Sequence, residues 1–433
     1  MQNNTINNRL RKNLPINVIY NSQAAAIIVA VGFAFKLSAA PGIICETYGS
    51  STLWIYLLFS LVDALLATLV FAFSRMKGDD LLVAINCKFF KICCLLSSVW
   101  LTMKLVFYFC YCMSYLTHEL FTGTQPFLIY GLFILPVVYL GAKGTKTIAR
   151  TAELFALFAV FSIIANLAFL DTNLDIGRNL PVFSMPPSDF FAKAPRFGLW
   201  IGDMFPFAFV RIKDKKLPYI TTTVACVWTL VNAIVMLGIA LYGNALKMVS
   251  DLLIHIASFN QLSLEIGRME WTNLFMIIAM SIISMSFLYD GANKTFQRAT
   301  GSATASKILC PLAVLVTAFS VTSSQTVTDF ALGAFGYALF LVAVIMPMLL
   351  TFTAAFFKQK YRHILACLDS EYIPYPKPTP TPPDSANCGK LQPSFSAASS
   401  SGSTSSSAAT FDINNGISDA NRDVSRNEKG GER

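Results

Sequence analysis

The sequence predicts an all-α polytopic membrane protein of about ten transmembrane helices, arranged as a five-plus-five inverted repeat with broken helices 1 and 6. Three observations predict it. Hydrophobic residues make up 55% of the 433 residues and charged residues only 13%, with a mean hydropathy of +0.56. A water-soluble fold of that composition would lack the polar surface to cover itself. The apolar residues gather into about ten segments close to the ~20 residues that cross a bilayer. Gly and Pro interrupt the first and the sixth, and interrupted backbone at membrane depth survives only where it lines a cavity or site inside the protein.

The segments lie near residues 24–45, 52–74, 84–116, 125–142, 149–170, 197–211, 218–242, 271–291, 308–323 and 328–357. Basic residues cluster on alternate connections: Arg9, Arg11 and Lys12; Arg75 and Lys77; Lys143, Lys146 and Arg150; Arg211, Lys213, Lys215 and Lys216; Lys294, Arg298 and Lys307; Lys358, Lys360 and Arg362. The intervening connections are poor in Lys and Arg, so the positive-inside rule places both termini in the cytoplasm. Two halves with an odd number of helices each must be oppositely oriented. The first helix of each is the interrupted one, by Gly32 and Pro41 in the first half and by Gly202 and Pro206 in the second. Residues 244–268 mix apolar and polar side chains in the manner of an amphipathic lid.

Residues 1–21 read as a polar cytoplasmic tail without a cleavable signal, and residues 22–362 as the transmembrane domain. Residues 363–433 change composition. Alternating prolines from Pro374 to Pro382 make an extended spacer, and the Ser/Ala run at 394–409 buries too little apolar area to fold, so this tail is expected to be disordered.

The net charge of +9 sits in short clusters and not along a face, which argues against nucleic acid. Most of the ten Cys lie inside apolar spans and only three His are present, so neither a disulfide framework, a metal site nor a cofactor is expected. The chain carries no G-x-S-x-G, P-loop or H-E-x-x-H motif, and no enzyme activity is expected.

Ionisable groups inside the spans each need a partner or a role. Lys36, just past Gly32, is suited to a substrate carboxylate or to the place of a bound cation, and equally to pairing with a carboxylate. Asp63 in the second helix is a proton carrier or a partner of Lys36 or Lys104. Lys104, Tyr108 and Tyr115 share one face of the third helix, which is either packing or the wall of a pocket. Asp203 in the interrupted sixth segment either borders a carboxylate-binding half-helix end or pairs with Lys213 or Lys215. Ser286 and Asp290 stand four apart on the eighth helix with Tyr289 beside them, though Ser286 can also bond back to its own helix.

Short motifs recur in order along the chain: Gly141-Ala-Lys-Gly-Thr-Lys-Thr-Ile-Ala-Arg-Thr-Ala-Glu153, Asn179-Leu-Pro-Val182, Gly202-Asp-Met-Phe-Pro-Phe207, Gly267-Arg-Met-Glu-Trp271 and Ser286-Phe-Leu-Tyr289. Together with Pro41 and Gly49 they resemble the spore-germination permeases, the B subunits of nutrient germinant receptors, over about residues 16 to 362. That family belongs to the amino acid-polyamine-organocation transporter superfamily. The resemblance implies the five-plus-five fold and a small nutrient ligand such as an amino acid. It also implies A-type and C-type receptor subunits as partners, and a bacterial inner membrane, of cell or spore, as location. A proton-coupled amino-acid transporter of the plasma membrane is the alternative. Carried over by position, the ligand-binding residues are Gly32, Phe33, Tyr108, Gly202, Phe205, Ser286 and Tyr289, joined by Lys36, with Asp63, Lys104, Asp203 and Asp290 as proton or ion-pair groups. Where the family tends to show Gly-x-Gly in the first helix, this chain has Gly32-Phe33-Ala34, with Lys36 soon after.

Overall fold

A computed structural model describes residues 18–38, 40–117, 121, 125–168, 175–179, 185–213, 217–258, 270–301 and 332–360. The expected span at 308–323, the 363–433 tail and most of the N-terminal tail lie outside the described residues. In order the elements are β1 Val18–Ile19, α1 Asn21–Leu37, α2 Ala40–Tyr48, α3 Thr52–Arg75, α4 Gly78–Ala84, α5 Lys88–Tyr115, α6 Pro126–Lys143, α7 Thr145–Ala168, α8 Pro187–Lys193, β2 Arg211–Ile212, α9 Leu217–Tyr242, α10 Leu252–Ser258, α11 Glu270–Thr300 and α12 Ala334–Lys360. Among the described residues six helical stretches are long and apolar enough to cross a membrane, and Asn21–Leu37 and Leu128–Lys143 are apolar but shorter. Leu132, Leu157, Phe161 and Phe352 project outward from α6, α7 and α12, an apolar exterior that suits lipid and not water.

The interior is built on α1, which is buried almost continuously from Ala24 to Leu37 and packs on α7, α9 and α11. A helix apolar all round belongs in the centre of a bundle. Small residues let neighbours approach it closely. The sequence assigned Gly32 to the break in this helix, but α1 runs unbroken through it. A Cβ at Gly32 would come within 2.3 Å of Val227 on α9, so the glycine serves helix packing. The interruption falls later, at Ser38, before Pro41 in the first turn of α2, where a missing N–H costs nothing.

The sixth segment also departs from expectation. In place of two α-helical halves it makes two 3₁₀ turns, Ala194–Trp200 and Phe205–Phe209, joined by a non-helical link at 201–204. Pro195 and Pro206 lack donors for an i→i−4 ladder, and Gly202 holds a φ of +81° that other residues rarely adopt. Gly198 presses on the backbone of α12, where an added Cβ would stand 2.4 Å from the Phe340 nitrogen. The segment leaves through β2, whose Arg211 and Ile212 pair in parallel with Val18 and Ile19 of β1. The entrance to α1 and the exit from the second interrupted segment are thereby tied together.

Charges cross-brace this end of the molecule. Asp79 and Asp80 on α4 pair with Arg298 of α11 and Arg211 of β2, each at 2.7 Å. Glu153 on α7 accepts Ser22 and Gln23 at the first turn of α1. Within the expected lid, Leu246, Leu252 and Ile256 are buried and α10 packs on α11. Asp251 begins α10, accepting the Ile254 N–H at 3.3 Å, while the His255 ring lies 2.7 Å from its carbonyl. Burial pushes the Asp251 carboxyl up to about 7.

Two outcomes are expected. Gly198→Ala forces backbone against backbone and lowers stability by about 1–3 kcal/mol, read from thermal unfolding in detergent. The Asp251 carboxyl has a raised folded-state value, so the stability it lends is present at low pH and lost as pH climbs from about 4 to about 7. Hydrogen exchange corrected for intrinsic rate then shows the 251–258 amides better protected at pH 5 than at pH 8, and Asp251→Asn removes the difference.

Candidate functional site

The two interruptions meet at a chain of four buried charges. Lys36 Nζ, in the last turn of α1, lies 2.6 Å from Asp63 of α3 and 3.3 Å from Asp203 of the 201–204 link. Asp203 in turn is 2.6 Å from Lys104 Nζ on α5. The order Asp63, Lys36, Asp203, Lys104 alternates in sign and sums to zero, and each side chain is at most 2% exposed. Such charges are tolerated only when paired and further hydrogen-bonded. Asp203 therefore joins Lys36 and Lys104 and not the later Lys213, which stands over the Tyr20 ring. Asp63 takes Lys36 from the two partners the sequence offered it.

The same side chains satisfy backbone that the interruptions set free. Asp63 accepts the Gly202 N–H at 2.8 Å. Lys104 donates to the Ile201 carbonyl at 2.6 Å, Tyr108 to the Leu199 carbonyl at 3.2 Å, and Tyr56 to the Lys36 carbonyl at 2.8 Å. In lipid there is no water to do this, so the polar side chains are what let the chain leave the helix here. An aromatic wall completes the site. Trp228 of α9 donates to Asp63 at 3.1 Å and places its ring 4.2 Å from Lys36 Nζ, a cation–π contact. The single Tyr108 hydroxyl proton is shared between the Leu199 carbonyl and Asp203, and its ring stacks on Phe35 and lies parallel to Trp200, while Trp100 meets Phe205 edge-on.

The structure thus brings Lys36, Asp63, Lys104, Tyr108, Gly202, Asp203 and Phe205 together. It places the other expected residues elsewhere. Gly32 packs on Val227. Phe33 borders a cavity of about 20 Å³ with Ser162, Leu253 and Asn273, room for about one water. Ser286 donates back to the Ile282 carbonyl of its own helix at 2.7 Å. Tyr289 lies under Gly141, where a Cβ would be 2.1 Å from its ring. Asp290 belongs to a second cluster, 2.6 Å from Thr145 and 2.7 Å from Lys294, with Lys294 also donating to Thr145. Tyr115 is half-buried.

Sequence reasoning missed Tyr56, Trp228, Trp100 and Trp200. Tyr56 was within reach, because it lies seven residues before Asp63 and shares its helix face. Trp100 was within reach too, four residues before Lys104 on α5; Trp200 and Trp228 carry no such signal, and packing of the 194–200 turn and α9 selects them.

No protein-family model matches the sequence, and no curated protein does. Solved structures do match. The crystal structure of MhsT in complex with L-phenylalanine aligns with a TM-score of 0.51 at 16% identity, covering 78% of this chain and 100% of that one. A Na+-coupled sialic acid symporter, in a substrate-bound outward-open state, aligns at a TM-score of 0.45 and 13% identity, covering 77% of each chain. The fold and the buried site define an all-α polytopic membrane protein with the fold of MhsT.

Removing one charge strands its partners. Lys36→Met is expected to cost about 3–5 kcal/mol of stability by leaving Asp63 without its ammonium, while Asp203 keeps Lys104. Lys36→Met with Asp63→Asn restores the charge balance and recovers part of the loss, as thermal unfolding of the single and double variants checks.

Proposed function

We propose that this chain is a nutrient permease that binds a small amino acid where the end of α1, the 201–204 link and α5 converge. The observation that carries the reading is the neutral Asp63–Lys36–Asp203–Lys104 chain set on two interrupted segments. A zwitterion adds one charge of each sign, so it exchanges partners with this chain without unbalancing it. Its carboxylate takes an ammonium from an aspartate, and its ammonium takes the released aspartate. Either exchange loosens the contacts that hold 194–213 against α1, α3 and α5, which gives ligand a differential affinity for two conformers. The match to MhsT bound to L-phenylalanine supports an amino acid as the ligand class.

The finer reading is a germinant-receptor B subunit working with A-type and C-type subunits at the spore inner membrane, both termini cytoplasmic. Its support is the collinear motif set from Gly141 to Tyr289, and its work is a coupling free energy between ligand and partner subunits. A proton-coupled transporter is favoured instead if an aspartate of the chain gains and loses a proton in each cycle.

Labelled amino acids offered to proteoliposomes of the purified chain, with and without an inward proton gradient, test the reading. Accumulation beyond the molar amount of protein that collapses with the gradient identifies transport. Saturable retention near one ligand per chain, indifferent to the gradient, identifies the receptor. Asp203→Asn is expected to lower either signal at least about tenfold. Absence of retention for every amino acid overturns the assignment.

A further inference from the structure

The outer faces of α6 and α7 carry a pattern that packing does not use. On α6, Leu132, Leu135, Tyr139 and Lys143 recur at the three- and four-residue spacing of one helix face. Lys146, Arg150, Leu154, Leu157 and Phe161 do the same on α7. Leu132 is 76% exposed and Leu157 72%, and the three cations are exposed as well. Both helices turn their inner faces to α11, with Gly141 on Tyr289, Phe155 against Phe275 and Ser162 bonded to Asn273. The two stripes therefore lie side by side on the outside of the bundle. Both change from apolar to basic at the same place, the corner where Gly144 alone joins the helices.

The fold holds this corner firmly and leaves its charge unanswered. Thr145 is fully buried and lies 2.6 Å from Asp290. Among the described residues, however, none of Lys143, Lys146 and Arg150 makes an ion pair: Glu153, one turn past Arg150, is taken by Ser22 and Gln23 at 3.0 and 3.3 Å, and Asp290 by Lys294 and Thr145. Lys143 Nζ lies 5.5 Å from the Tyr139 ring, a contact that leaves its charge in place. Lys146 in the first turn of α7 opposes the helix dipole, and no acidic residue offsets it there. Three uncompensated cations at the end of two apolar stripes match, in charge and in layout, a molecule with an anionic head and two hydrocarbon tails. Basic side chains at headgroup level draw anionic lipid, a Tyr ring sits at that same level, and apolar faces lie against acyl chains. A soluble phosphate answers the cations and leaves the stripes unused.

We propose that the α6–α7 corner is a docking site for one anionic diacyl phospholipid, its phosphate held by Lys143, Lys146 and Arg150 and its acyl chains lying along the two stripes. Its occupant is a constituent of the membrane and not the nutrient. Bound there, the lipid braces α6 against α7 and, through Gly141 and Thr145, both of them against α11. A phosphatidylcholine is the poorer occupant, because its own ammonium already answers its phosphate.

Native mass spectrometry of the full chain, released from micelles holding equal amounts of phosphatidylglycerol and phosphatidylcholine, counts the lipid retained, and thermal unfolding in the same micelles reads its effect. The parent chain is expected to keep one phosphatidylglycerol in preference to phosphatidylcholine and to melt higher when it is present. The triple variant Lys143→Gln, Lys146→Gln, Arg150→Gln is expected to lose that preference, its affinity for phosphatidylglycerol falling about fivefold for each cation removed. In phosphatidylcholine alone it melts like the parent, because all three side chains are exposed. Lys88→Gln with Lys91→Gln, which removes two exposed cations from the start of α5 instead, is expected to keep the preference. Equal loss in both variants means general surface charge and overturns the site. So does stabilisation of the parent by inorganic phosphate alone, which means a soluble anion, or a dimer of the chain in place of the lipid adduct, which means a protein contact.

Discussion

Backbone that leaves the helix inside a membrane must find its hydrogen bonds within the protein, and that requirement organises this molecule. Ser38 ends one helix early, and Pro195, Gly202 and Pro206 prevent another from forming. The freed groups are taken up by side chains that would otherwise be intolerable at that depth. Asp63 takes a Gly202 N–H, Lys104 takes the Ile201 carbonyl, and Tyr56 and Tyr108 take two more. Once the charges are there, they must neutralise one another. The alternating chain of two lysines and two aspartates follows from that second requirement as much as Asp63 and Lys104 follow from the first.

Coupling the backbone to the charges makes the centre a candidate for change. Each carboxylate serves an ammonium, a backbone or indole N–H, or a tyrosine hydroxyl, so the 201–204 link is held by the same contacts that balance the charges. That segment is also anchored at its far end, where β2 pairs with β1 and Arg211 pairs with Asp80. The Asp79–Arg298 pair adds α11 to the same junction. The link that carries Asp203 and the junction that ties the bundle together are thus two parts of one short stretch of chain.

Helix packing explains most of what separates expectation from structure at the individual positions. Gly32 marked a break only because glycine in a span has two uses, and the proximity of Val227 selects the other. The resemblance placed Ser286 with the ligand and its four-residue spacing put it on one face with Asp290, yet it closes on its own helix while Asp290 turns to Thr145 and Lys294. A shared helix face states a direction and leaves the distance to other helices undetermined.

What the sequence by itself determined is the class and which two segments are interrupted. Excess apolar composition, spans near bilayer length, and Gly and Pro in the first and sixth segments are local or additive properties, so they are readable without coordinates. It also named Lys36, Asp63, Lys104 and Asp203, because an ionisable residue within a span stands out against apolar neighbours. Only the tertiary structure decided how these four are ordered into one chain, that Trp228 and Tyr56 complete it, and that Trp100 packs beside Lys104 and Trp200 on Tyr108. The physical reason is distance along the chain. Asp63 and Asp203, or Tyr108 and Trp200, are far apart in sequence, and only the packing of α1, α3, α5 and α9 around two interrupted segments brings them within reach of one another.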